Sequence, residues 1–160
     1  MTKGVTKMRI ALVLVLAAAT VVMAQDSGTG LGIIVGEPTG ISMKFWTGGN
    51  TAFDAAVAWS VYHYTALHIH ADVLYHSFDL LKIAPGSMPA YAGVGARVKL
   101  AGRGTNHQNV RMGVRVPLGL EYIFERTPVG LFLEVAPILD LVPATGFTVN
   151  GAIGARWYFR

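Results

Sequence analysis

After residue 24 the chain alternates between apolar and polar or small residues, and it does so repeatedly. A period of two belongs to a β-strand, whose successive side chains point to opposite faces. The clearest stretch is 110–124. Val110, Met112, Val114, Val116, Leu118, Leu120, Tyr122 and Phe124 share one face, while Arg111, Gly113, Arg115, Pro117, Gly119, Glu121 and Ile123 share the other. The same rule reads strands at 31–36, 41–46, 53–61, 67–76, 91–100, 129–135 and 152–159. Turn chemistry separates them: Glu37-Pro38-Thr39-Gly40, Thr47-Gly48-Gly49-Asn50, Pro85-Gly86-Ser87, Gly102 to Asn106, Arg126-Thr127-Pro128 and Pro143-Ala144-Thr145-Gly146. The pattern therefore predicts eight strands, joined by links short enough for consecutive strands to pair antiparallel. No run of about 18 apolar residues follows residue 24, so no membrane-spanning helix is expected.

The front of the chain reads differently. Lys3, Lys7 and Arg9 precede an uncharged apolar run from Ile10 to Met23, and small residues stand at Val22 and Ala24. This is the pattern of a cleaved signal peptide, and the run is too short to span a bilayer as a helix. Residues 1–24 are expected to be removed, with Met8 an alternative start, leaving 25–160 as one domain.

Charge changes meaning once that segment is set aside. The whole chain has 13 Lys+Arg against 9 Asp+Glu and a pI of about 9.6. Removing residues 1–24 takes three cations and no acid, so 10 face 9. No basic field is left to hold nucleic acid. Cysteine is absent, which excludes a disulfide scaffold, a thiolate zinc site and a cysteine nucleophile. Charged residues make up 14% and mean hydropathy is +0.46, which excludes a disordered chain. Gly30-Leu31-Gly32 and Gly93-Val94-Gly95 lack the lysine and the strand–loop–helix setting of a phosphate loop. No cofactor is implied.

Alternation fits both a soluble barrel with an apolar core and a membrane barrel with an apolar exterior. Three observations favour the second. The polar faces carry mostly Gly, Ala and Ser, with six cations (Lys44, Arg97, Lys99, Arg111, Arg115, Arg156) against six acids (Asp54, Asp72, Glu121, Glu125, Glu134, Asp140). That suits a narrow interior of small residues and paired charges better than a solvated surface. Aromatics such as Phe45, Trp46, Phe53, Trp59, Tyr75, Phe124, Trp157 and Phe159 gather near segment ends, as in interfacial girdles. Five segments reach the roughly 9–11 residues that a tilted spanning strand needs. The first two are shorter on this reading.

The ending Ile153-Gly154-Ala155-Arg156-Trp157-Tyr158-Phe159-Arg160 resembles the C-terminal assembly signal of bacterial outer-membrane barrels, with Trp157 and Phe159 as its outward aromatics. There the aromatic usually stands last, whereas Arg160 follows here. The segment Gly30 to Trp46 resembles the N-terminal hairpin of a family of small bacterial outer-membrane proteins. Its architecture is similar to the OmpA transmembrane domain and OmpX. The resemblance implies a porin-like, eight-stranded up-and-down transmembrane barrel in the outer membrane. Its partners would be outer-membrane lipid, lipopolysaccharide and the barrel-assembly machinery. It assigns no catalytic residues.

Two groups could carry chemistry. Lys44, Asp72, Arg97, Arg111, Arg115, Glu121, Glu134 and Arg156 would form a salt-bridged plug, for which arginine's planar fork is suited. They could instead line a path for small solutes. His68 and His70, two apart on one strand, could approach one metal ion, although a third ligand would have to come from Asp72 or a facing strand. A lipid-modifying enzyme would draw on His63 with Ser60, or on His76 with Ser77 and Asp79, but no nucleophile motif accompanies them. A soluble lipocalin-like binder is the remaining alternative. With an even strand count both termini face the periplasm, and the links 37–40, 62–64, 101–109 and 140–146 face outside.

Overall fold

The computed structural model describes residues 28–60, 66–81, 83–103 and 107–159. The expected signal peptide and the link at 62–64, with His63, lie outside the described residues. Among the described residues there are nine strands: β1 (Thr29–Glu37), β2 (Thr39–Gly48), β3 (Thr51–Ser60), β4 (Ala66–Ser77), β5 (Ala90–Arg103), β6 (His107–Arg115), β7 (Leu118–Ile123), β8 (Val129–Val142) and β9 (Gly146–Phe159). All pairings are antiparallel. The hydrogen-bonded order β4-β3-β2-β1-β9-β8-β6-β5 closes on itself through β4–β5. Closure removes every sheet edge.

The ring has eight positions, because β6 and β7 occupy one. Both pair with β5 in a single register, Gly95 with Arg115 and Ala92 with Leu118. Pro117 interrupts the ladder between them, since it has no N–H to donate. Val116 N–H donates instead to Pro137 O at 3.0 Å, and Gly93 N–H donates to Pro117 O at 2.9 Å.

Several segment ends differ from the alternation reading. β8 continues past Pro137 to Val142, seven residues beyond the expected stop at 135: Pro137 keeps its place by accepting from Val116 N–H, and the strand stays paired with β9 through Asp140. β1 and β2 reach 9 and 10 residues by recruiting Thr29, Thr39 and Thr47, so the two short segments attain spanning length. The 101–109 link contracts to 104–106, since Arg103 still pairs with His107 despite the neighbouring glycines. The longest connection, 78–89, lies at the end where β1 begins and β9 finishes, the terminus end. It is tied back by the Tyr122 hydroxyl, which donates to Pro85 O, and by the backbone exchange between Ser87 and Ile123.

The faces are inverted relative to a soluble protein. Leu31, Ile33, Ile69, Val94, Val114, Leu133, Val149 and Ile153 are exposed on the outer wall. Inside, Lys44, Glu121, Arg115 and Arg156 are buried. Outward aromatics mark both rims. Phe53, Tyr75, Phe124, Trp157 and Phe159 lie at the terminus end, with Trp59 and Phe147 at the other. Trp46 departs from that girdle: it turns inward at the terminus-side mouth, its ring 4.3 Å from that of His76.

Glycine makes the interior large enough for long side chains. A Cβ on Gly154 would stand 2.3 Å from the Phe132 ring and 2.4 Å from Ile33 O. Gly30 and Gly130 flank the Tyr158 ring in the same way. Gly154→Val is therefore expected to destabilise the barrel by about 1–3 kcal/mol through overpacking. A fall in the urea midpoint of the folded band on unboiled gels checks this.

Candidate functional site in the barrel lumen

Inward parity places one or two charged residues of every strand but β1 in the lumen, and the ring brings them together in tiers. At the terminus-side mouth, the Lys44 ammonium (β2) forms an ion pair with the Glu121 carboxylate (β7) and lies 2.8 Å from His76 Nε2 (β4). His76 Nδ1 is 3.3 Å from Asn50 O. A proton on Nδ1 satisfies both contacts, donating to that carbonyl and leaving Nε2 to accept from the lysine. Lys44 Nζ also stands 5.0 Å from the ring centroids of Trp46 and of Tyr91. Glu121 accepts a further hydrogen bond from the Tyr158 hydroxyl.

Above this tier, Arg156 (β9) reaches across the lumen. Its Nη2 lies 2.5 Å from Asp54 Oδ2 (β3), its Nε donates to Ser42 Oγ at 2.9 Å, and its guanidinium carbon sits 3.8 Å from the Phe132 ring centroid. Arg115 (β6) comes next. It pairs with Glu134 (β8) through Nη2 and with Asp72 (β4) at 3.4 Å through Nη1, while the Tyr91 hydroxyl donates to Glu134 at 3.0 Å. Asp54 and Asp72 face each other in register on β3 and β4. Like charges so placed repel, and each is held by its own arginine. The last tier is Arg97 (β5) with Asp140 (β8), 2.5 Å apart.

Members of this ladder are almost fully buried. An unpaired buried charge costs several kcal/mol by rough estimate, so the pairs must be complete. Arg111 stands apart: its side chain is 54% exposed at the mouth away from the termini, and its nearest carboxylate oxygen, on Asp140, is 4.0 Å away. Glu125, counted among the inward acids from alternation, lies exposed in the 124–128 turn, because β7 ends at Ile123. The interior cavity bordered by His70, Arg115, Glu134, Asn150 and Glu37 has a volume of about 10 Å³. That is room for one water at most.

His68 and His70 both point inward and are buried. His70 Nε2 is 3.9 Å from Asp72 Oδ2. Among the described residues, no three His, Cys, Asp or Glu side chains converge as a metal site. His76 and Ser77 are consecutive on β4 and so face opposite sides of the wall. The ring of His76 is committed to Lys44 and Asn50 and does not meet the Ser77 hydroxyl. Trp157 and Phe159 lie on the outer wall, half exposed, where β9 closes against β1. Alternation puts Asp54 and Asp140 on the polar faces but not in the expected plug, and it does not single out Ser42, Tyr91 and Tyr158, although each stands at inward parity.

No family model matches the chain, and no curated protein matches its sequence. Solved structures do match. The crystal structure of the N-terminal β-barrel domain of Pseudomonas aeruginosa OprF superposes with a TM-score of 0.64 at 12% identity, over 83% of this chain and 96% of that one. The crystal structure of Neisserial surface protein A (NspA) gives a TM-score of 0.50 at 12% identity, over 83% of this chain and 94% of that one. The chain has the fold of small bacterial outer-membrane β-barrels of the OmpA-like type.

Removing Glu121 would strand Lys44 and take an acceptor from Tyr158. Glu121→Ala is expected to cost about 3–5 kcal/mol, the range for breaking a buried pair. Urea unfolding in lipid vesicles measures it. A loss below about 1 kcal/mol, the scale of an exposed pair, would mean that the pair is not desolvated.

Proposed function

We propose that the protein is an integral outer-membrane barrel with a closed lumen that contributes to the structure and integrity of the envelope without catalysis. The observation that carries this reading is the ion-pair ladder. Charged pairs cross the lumen tier by tier, and the cavity between His70, Arg115, Glu134 and Asn150 admits about one water. A pore would need a continuous aqueous path, and a lipocalin-like binder an interior ligand cavity. The larger depression, about 580 Å³, lies on the apolar outer wall between Ile33, Leu131, Ile153 and Ala155. In this reading the outer wall faces acyl chains, the two aromatic rims lie at the interfaces, and the end holding both termini faces the periplasm.

Planar bilayers containing the purified barrel are expected to show no steady conductance, and reproducible ohmic steps would overturn the closed lumen. Val114→Arg tests the lipid-facing wall independently. Val114 is exposed on that wall, and a cation near mid-membrane there should cost about 2–4 kcal/mol. Unchanged unfolding of this variant in lipid vesicles would show that the wall does not face lipid.

A further inference from the structure

Through the ladder four cations (Lys44, Arg156, Arg115, Arg97) face five acids (Glu121, Asp54, Glu134, Asp72, Asp140), but the mouth away from the termini reverses the balance. From Leu80 to Leu120 the sequence contains no acid, yet it carries Lys82, Arg97, Lys99, Arg103, Arg111 and Arg115. The β5–β6 hairpin holds five of these. Three basic residues fall in one cross-strand row: His68 on β4 is in register with Lys99 on β5, and Lys99 with Arg111 on β6. All three stand at inward parity. Lys99 is half-buried and Arg111 exposed, so both are open to solvent at the mouth.

Two acids share this region. Asp140 gives Oδ1 to Arg97 and stands 4.0 Å from Arg111 through Oδ2. Glu37 lies within electrostatic reach of Lys99. They face three cations, Arg97, Lys99 and Arg111. Lys99 and Arg111 are directly opposed, an arrangement that repels. Beneath them His68 is 2% exposed and neither of its ring nitrogens has a partner; Arg97 Nε is likewise unpartnered. Leaving a buried donor unsatisfied carries a desolvation penalty.

We propose that this mouth binds a phosphate-class oxyanion held by His68, Lys99 and Arg111. One group would answer both anomalies. Its charge would screen the opposed lysine and arginine, and its oxygens would accept from the buried imidazole N–H. A guanidinium fork matches two oxygens of a tetrahedral phosphate, and an ammonium serves as a point-charge partner beside it. Three adjacent strands span about 10 Å, which long flexible side chains can close around phosphate or bridge with diphosphate. The oxyanion could be free in solution or carried on a lipopolysaccharide headgroup, and the chemistry of recognition is the same. The site lies above the ladder and does not depend on whether the lumen conducts.

The test uses the folded barrel in uncharged maltoside micelles, with folding verified by heat-dependent gel mobility. Pyrophosphate is titrated in one arm, and phosphorylated or dephosphorylated lipid A in the other, followed by calorimetry. The expected result is saturable binding that weakens at least tenfold in the double variant Lys99→Gln, Arg111→Gln. His68→Gln, which keeps a neutral side chain, should weaken it by a smaller factor. Saturation by pyrophosphate alone identifies a free oxyanion. Saturation by phosphorylated lipid A, displaced by pyrophosphate and absent for the dephosphorylated form, identifies the headgroup. No saturable response to either probe, or equal affinity in the folded double variant, overturns the proposal.

Discussion

Every charge inside the ring has to find its opposite on another strand. Arg156 on β9 meets Asp54 on β3, Lys44 on β2 meets Glu121 on β7, and Arg97 on β5 meets Asp140 on β8. None of these partners is a sequence neighbour. The pairs exist only when the sheet is closed, and a closed sheet of this diameter tolerates the charges only because they are paired. Pairing and closure are thus one constraint seen from two sides. Strand register serves it: slipping one strand by a residue would turn its cations toward the outer wall.

Volume is the second condition. Eight strands enclose little space, and arginine, phenylalanine and tyrosine side chains must share it. The chain answers with absent side chains on facing positions. Gly95 lies beside Asp72, where a Cβ would fall 1.9 Å from the carboxylate, and Gly154 lies beside Phe132. Large and missing residues alternate around the wall, so the interior is filled without being strained. The high glycine content of the sequence thus reflects packing as well as turns.

Much of the fold was legible in the sequence because period-two alternation is a local property that survives closure. Which residues share a face followed from 110–124 and its counterparts. The misread strand ends have specific causes. Alternation on β8 is legible only to Val135, but Pro137 still accepts from Val116 N–H and the strand runs on beside β9. Gly102 and Gly104 looked like a loop, but Arg103 still pairs with His107. Of the ladder, alternation supplied the charged members and not the partners. That Arg115 meets Glu134 while Arg97 meets Asp140 depends on stagger around the ring, which no single strand encodes. The separation of Arg111 from the closed tiers could not be read either, because its parity is the same as that of Arg115. Burial along the lumen axis is a global property.

The β1–β9 seam carries a kinetic consequence. It joins the described strands that lie furthest apart in sequence, and the Arg156 contacts beside it span 102 residues to Asp54 and 114 to Ser42. Contacts of such sequence separation raise contact order and slow folding, because loop-closure entropy is lost before any contact is gained. Until β9 arrives, Asp54 lacks its arginine partner and Ser42 its donor. The Arg156 contacts can form only when this wall is closed, so one side chain reports that the circuit is complete.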